Sequence, residues 1–268
     1  MEKSDEEMNL FLIYFVSLQT KTGILPMESI YHKHYSQSLG RDMEYNTYGD
    51  CGHAVLVFPS QNGRYYDFQD FDMVATLAPL IDAGKIRLIC CDSIDAETWS
   101  NEGGDPRWRI EQHERWFHYI VDELIPEVRR DGEMFIATGC SMGGFHAGNF
   151  FFRRPDLFDT LLALSGLYHA DYFFGGYMDD LVYGNSPLHY LAGMADDHFY
   201  WDTYRNRRII CCVGQGKWED DLLASTRRLD TLLARKNVPH WCDYWGFDVD
   251  HDWVWWREQV WYFMNKVV

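Results

Sequence analysis

"MFIATGCSMGGFHAGNF", residues 134–150, decides how the rest of the chain is read. It opens with an apolar run of strand length, ends in a run able to be helical, and between them holds Gly139-Cys140-Ser141-Met142-Gly143. G-x-S-x-G between a strand and a helix is the geometry of a nucleophile elbow, a turn so tight that Cβ atoms at positions 139 and 143 would collide with neighbouring backbone. The bare pattern is common in chains of this length, and alone it reads equally as a structural Gly-Ser turn. Its place at the end of a buried central strand makes it specific.

The pattern on either side supports that placement. "SIYHKHYSQSL" and "RDMEYNTYG" alternate like two antiparallel strands, and "HAVLVFPS" is the continuous apolar run of a buried one. "DMVATLAPLIDAG" has helical spacing with a glycine stop, and the strand "IRLICCD" follows. "RWRIEQHERWFHYIVDELIPEVRR" reads as one long amphipathic helix. After the elbow come the strand "TLLALSG", a long aromatic insertion, the strand "RIICCVG", the helix "DDLLASTRRLDTLLARK", the strand "HWCDYWG" and a terminal helix after His251. Such alternation specifies an α/β protein with a mostly parallel sheet covered by helices on both faces. No repeat, low-complexity tract or linker divides it, so one domain is expected over residues 27–268.

Residues 1–26 stand apart. "NLFLIYFVSL" (9–18) is apolar but follows the acidic "MEKSDEE", the wrong charge for a signal peptide, and it is too short to span a bilayer. It reads as an extension that packs on the surface or mediates association, homo-oligomerisation included. A net charge of -17 argues against nucleic acid, whose affinity for proteins comes mainly from lysine and arginine. The seven cysteines lie mostly in apolar runs. Cys90-Cys91 and Cys211-Cys212 are strand neighbours pointing to opposite faces, so neither pair forms an ordinary disulfide. That usage fits a reducing cytoplasm.

A serine attacks an ester at neutral pH only with a base to take its proton and an acid to orient the base. Downstream of Ser141, "VGQGKWEDD" puts Glu219 or Asp220 in the loop after one strand, and "WGFDVDHDWVWW" puts His251 in the loop after the last. The chain order Ser, acid, His brings all three to one edge of the sheet, where ligands bind in open α/β folds. Asp250 is the next acid to consider.

Several segments carry a resemblance. "FPSQNGRYYDFQDFDMV", "CCDSIDAETW", "GCSMGGFHAGNFFFRRPDLFDTLLALSG", "YGNSPLHYL" and "WGFDVDHDWVWW" are similar to the "Putative esterase" family of α/β-hydrolases, a group that includes S-formylglutathione hydrolases, feruloyl esterases and mycolyltransferases. The similarity runs from about Met27 to the C-terminus. It implies the α/β-hydrolase fold, Ser141 as nucleophile and His251 as base. Relatives carry Gly-x-Trp followed directly by an acid, which selects Glu219. Counting back from the helix register "RRLDTLL" selects Asp220, and Glu219 is preferred.

One oxyanion donor is expected at the backbone N–H of Met142, and the other in Pro59-Ser60-Gln61-Asn62-Gly63. Pro59 has no N–H, which leaves Gln61, with Ser60 behind it. Residues 168–207 are expected to form an aromatic cap, and Trp99, Tyr177 and Trp253 to line an acyl pocket. "FDVDHD" invites a metal reading through Asp248, Asp250, His251 and Asp252. No second histidine sits at zinc spacing, and no Walker loop or dinucleotide fingerprint occurs, so no metal or cofactor is expected. The sequence therefore specifies a serine hydrolase acting on a small-molecule carboxylic ester. The alternatives are an acyltransferase with the same triad and a non-catalytic binding protein on a hydrolase scaffold.

Overall fold

The computed structural model describes residues 28–268; the expected N-terminal extension, with its stretch at 9–18, lies outside the described residues. The strands are β1 (Ile30–Ser36), β2 (Arg41–Tyr48), β3 (His53–Phe58), β4 (Ile86–Cys91), β5 (Phe135–Cys140), β6 (Phe158–Leu164), β7 (Arg208–Val213) and β8 (Trp241–Tyr244). They form one sheet of order β1-β2-β4-β3-β5-β6-β7-β8, in which β1 pairs antiparallel with β2 and β2 with β4, and every later pairing is parallel. The long helices are α1 (Met73–Asp82), α2 (Pro106–His118), α3 (Met142–Arg153), α4 (Asp220–Arg235) and α5 (Trp253–Val267).

Strand periodicity divides the apolar residues between two cores. Leu56 and Phe58 of β3, Phe135 and Ala137 of β5, and Ile209 and Cys211 of β7 face one side, with Trp116 and Phe117 of α2, Phe150 of α3 and Leu229 of α4. Val55, Val57, Ile136, Ile210 and Cys212 face the other, with Met73 and Leu77 of α1 and Trp256, Val260 and Phe263 of α5. The paired cysteines are split the same way, Cys91 and Cys211 to one core and Cys90 and Cys212 to the other, and all seven cysteines are free.

The expected long helix over residues 107–130 is not continuous. Asp105 caps α2 by accepting from the Trp108 N–H, and Pro106 occupies its first position, but after His118 the chain widens into a π-helical turn over Tyr119–Leu124 before Ile125–Val128. Pro126 supplies the reason. It has no N–H for the carbonyl one turn back, and its ring would press on that carbonyl in a regular α-helix.

The connection over residues 168–207 holds short helical turns at Asp171–Phe174, Asp180–Gly184, Pro187–Gly193 and Tyr200–Arg205. Its second half is sewn into the main core through Leu188, Leu191, Trp201 and Tyr204. Its first half packs Ala170, Phe174 and Val182 against Trp99, Met142 and Phe145, over the start of α3. Among the described residues, no helix is long and apolar enough to cross a membrane.

Candidate active site

β5 ends and α3 begins at Ser141, whose backbone is held at φ 59°, ψ -120°. That strained conformation lifts the side chain off both elements, and the hydroxyl does not cap the helix it precedes. The glycines on either side make the turn possible. A Cβ on Gly139 would lie 2.5 Å from the backbone of Gly143 and 2.7 Å from the Phe58 carbonyl oxygen, and one on Gly143 would run into that same oxygen. The loop after β3 therefore lies directly on the elbow, where the Ser60 hydroxyl donates to the Cys140 carbonyl at 3.1 Å. Beside the serine, burial pushes the Cys140 thiol well above its ordinary range.

The loop after β8 brings His251 to this serine, with Nε2 2.8 Å from Ser141 Oγ. Two backbone contacts fix the loop. The His251 N–H donates to the Lys217 carbonyl at 3.0 Å, and Asp250 Oδ1 accepts from the Lys217 N–H at 2.7 Å. Asp252 caps α5 by accepting from the Val254 N–H. Asp250 and Asp252, two of the three carboxylates in the metal reading, thus hold backbone. Among the described residues, the grouping with ligand-like spacing is Asp230, His240 and Cys242. There His240 Nε2 and the Tyr244 hydroxyl already engage the Asp230 carboxylate, at 2.8 and 2.7 Å.

The loop after β7 separates the two candidate acids. Glu219, the residue before α4, is 1% exposed, and its Oε2 lies 3.3 Å from His251 Nδ1. Asp220, the first residue of α4, is exposed and lines the cleft mouth instead. At 3.3 Å the Nδ1···Oε2 approach is long for a hydrogen bond, and among the described residues neither atom has another hydrogen-bond partner.

A further residue that sequence reasoning missed is Ser165, just after β6. Its hydroxyl donates to Glu219 Oε1 at 2.6 Å and accepts from the Trp256 indole N–H at 3.1 Å. The available signal was positional: Ser165 directly follows β6 as Ser141 directly follows β5.

A cleft of about 390 Å³ opens over Ser141 and His251. Gln61, Met142, Phe145, Leu167, Tyr172, Phe173, Trp218, Asp220, Asp221 and Leu222 complete its lining. Gln61 and Met142, the expected oxyanion donors, both line the cleft that holds Ser141. The three expected pocket aromatics are not. Trp99 is fully buried beneath the cleft, its indole N–H donating to His113 Nδ1. Tyr177 is turned to Asp179, its hydroxyl donating at 2.7 Å. Trp253 stacks on Phe71 at 4.3 Å and packs edge-on against Trp256. The apolar lining comes instead from Leu167, Tyr172, Phe173, Trp218 and Leu222.

A serine on a strained strand-to-helix turn, at the C-terminal edge of an eight-stranded sheet of this order, defines an α/β-hydrolase fold. Solved structures agree over nearly the whole chain. A ferulic acid esterase superposes with a TM-score of 0.70 at 17% identity, covering 90% of this chain and 97% of its own. A fluorophosphonate-binding serine hydrolase of Staphylococcus aureus gives 0.66 at 14%, covering 90% and 98%. An S-formylglutathione hydrolase from Agrobacterium tumefaciens gives 0.66 at 12%, covering 89% and 93%. At such identities the likeness establishes the fold. No curated protein matches the sequence. The profile of the family described as "Putative esterase" matches residues 36–262. The chain belongs to that family and is a carboxylic ester hydrolase.

Proposed function

We propose that the protein hydrolyses a small-molecule carboxylic ester through an acyl-enzyme on Ser141. The observation that carries this reading is the line Ser141 Oγ, His251 Nε2 at 2.8 Å, then His251 Nδ1 to Glu219 Oε2 at 3.3 Å, at the floor of the cleft.

His251 Nε2 takes the Ser141 proton as Oγ bonds to the ester carbon, and the imidazolium faces the Glu219 carboxylate. The carbonyl oxygen, now an oxyanion, accepts from the backbone N–H groups of Met142 and Gln61. His251 then gives its proton to the departing alcohol oxygen as the carbon–oxygen bond breaks. A water, deprotonated by the same Nε2, attacks the acyl carbon, releases the carboxylic acid and restores Ser141. No step calls on a metal or cofactor. Residues 168–207 act as the cap, with Tyr172 and Phe173 on the cleft, and the apolar wall they share with Leu167 suits an uncharged acyl group. Seven free cysteines support a reducing compartment, the cytoplasm.

The test is a panel of 4-nitrophenyl esters graded by acyl length, run on the wild type and Ser141→Ala. Turnover should fall by several orders of magnitude in the variant for every ester the wild type accepts. Equal turnover in both proteins overturns the reading.

A further inference from the structure

Four residues other than glycine adopt positive φ near the C-terminal ends of adjacent strands: Asn62 (58°) in the loop after β3, Ser141 (59°) after β5, Ser165 (48°) after β6 and Trp218 (67°) in the loop after β7. A serine in the left-handed region is strained relative to glycine, and such strain persists where the surroundings need the side chain. At Ser141 the strain presents the nucleophile. At Ser165 the hydroxyl is fully buried and meets two groups, Glu219 Oε1 and the Trp256 indole N–H.

We infer that Ser165 is a positioning residue for ester hydrolysis, acting through Glu219; the inference rests on the Ser141–His251–Glu219 reading above. The direction of the contacts is fixed by chemistry. An indole N–H can only donate, so Ser165 Oγ accepts from Trp256 and its single proton goes to the carboxylate. Glu219 Oε1 is thereby occupied by a donor, and Oε2 is the oxygen left facing His251 Nδ1. The hydrogen bond thus fixes which carboxylate oxygen faces the imidazolium that forms during the reaction. Ser165 is itself held, its N–H donating to the Cys212 carbonyl at 2.7 Å. Trp256 serves twice, since the indole that orients the Ser165 hydroxyl also stands edge-on to the His251 ring, 4.7 Å away at 89°. The relay ties β6, β7 and α5 to the acid and the base together.

Ser165→Gly separates this role from a structural one. Glycine takes the positive φ without strain, which offsets part of the stability lost when the Trp256 N–H and Glu219 Oε1 are left without their buried partner. Ser165→Gly should therefore melt higher than Ser165→Ala, while the hydroxyl is lost in both. The expected result is a kcat about 10- to 100-fold lower with KM within about twofold, as for loss of one hydrogen bond to a charged group. Ser165→Ala, which keeps the strain, should show the same fall in kcat and serves if the glycine variant does not fold. In a Glu219→Gln background, removing the hydroxyl should slow kcat no further. Wild-type kcat in Ser165→Gly or Ser165→Ala overturns the inference, as do losses that multiply with that of Glu219→Gln. If Glu219→Gln alone turns over at the wild-type rate, the acid assignment has failed and the inference falls with it.

Discussion

Replacing Glu219 by glutamine changes one oxygen to an NH₂ group, and the structure says which. Ser165 presents its proton to the Oε1 position, so the amide oxygen must sit there and the NH₂ must face His251. An NH₂ donating to Nδ1 puts the imidazole proton on Nε2, the atom 2.8 Å from Ser141 Oγ. The base then points a proton at the nucleophile it should deprotonate. The variant also loses the carboxylate that faces the imidazolium at 3.3 Å. At an effective dielectric of about 20, that Coulomb term is about 5 kcal/mol, or between about 10³ and 10⁴ in rate. Loss of the correct tautomer in a serine protease triad has a similar effect, about 10⁴. Glu219→Gln should therefore lower kcat by about 10³ to 10⁴, and by at least a hundredfold, with KM little changed. The melting temperature should shift little, because shape and burial are kept. The assay is steady-state hydrolysis of a 4-nitrophenyl ester beside a thermal melt. A loss under tenfold in a folded variant refutes the reasoning, and Asp250→Asn becomes the next variant to measure.

Asp220→Asn should do the reverse, keeping kcat within about twofold and lowering the melting temperature by no more than about a degree or two, because its exposed carboxylate faces the positive end of α4; a dead variant would show that Asp220 is the acid. Trp218→Ala should raise KM for bulky esters in steady-state kinetics without moving the melting temperature, since this side chain is 83% exposed and lines the cleft. Gly139→Ala should fail to fold or melt at least about 10 °C lower by calorimetry, because its Cβ meets backbone that cannot move without opening the elbow. Exhaustive EDTA treatment should leave ester turnover unchanged; activity lost and then restored by zinc or manganese would replace the acyl-enzyme with metal-assisted hydrolysis.

The sheet and the elbow were legible in the sequence because their signals are steric. Continuous apolar runs such as "HAVLVF" and "RIICCV" need cover on both faces, and glycines around a serine mark a turn that admits nothing larger. The break in the helix after His118 was harder to read, since the apolar spacing runs on through it and only Pro126 disagrees. The choice between Glu219 and Asp220 turned on one residue of helix register, which periodicity does not resolve: one step into α4 swings a side chain from the buried base to solvent. The cleft walls were least legible. Trp99, Tyr177 and Trp253 do sit near the strand ends, but a loop position does not say which way a side chain points. Each found a partner elsewhere, in His113, Asp179 and Phe71. Ser165 escaped because a lone serine before a glycine reads as a turn, and its meaning depends on Glu219 and Trp256, 54 and 91 residues away.

The central claim is that Ser141 is an activated nucleophile, and a fluorophosphonate probe tests it directly, because the reagent phosphonylates a serine whose proton a neighbouring base removes. Intact-mass and peptide mapping of the labelled protein should show one adduct, on Ser141, absent from Ser141→Ala and formed far more slowly in Glu219→Gln. A folded protein that takes no label, or takes it on another serine, would contradict the account.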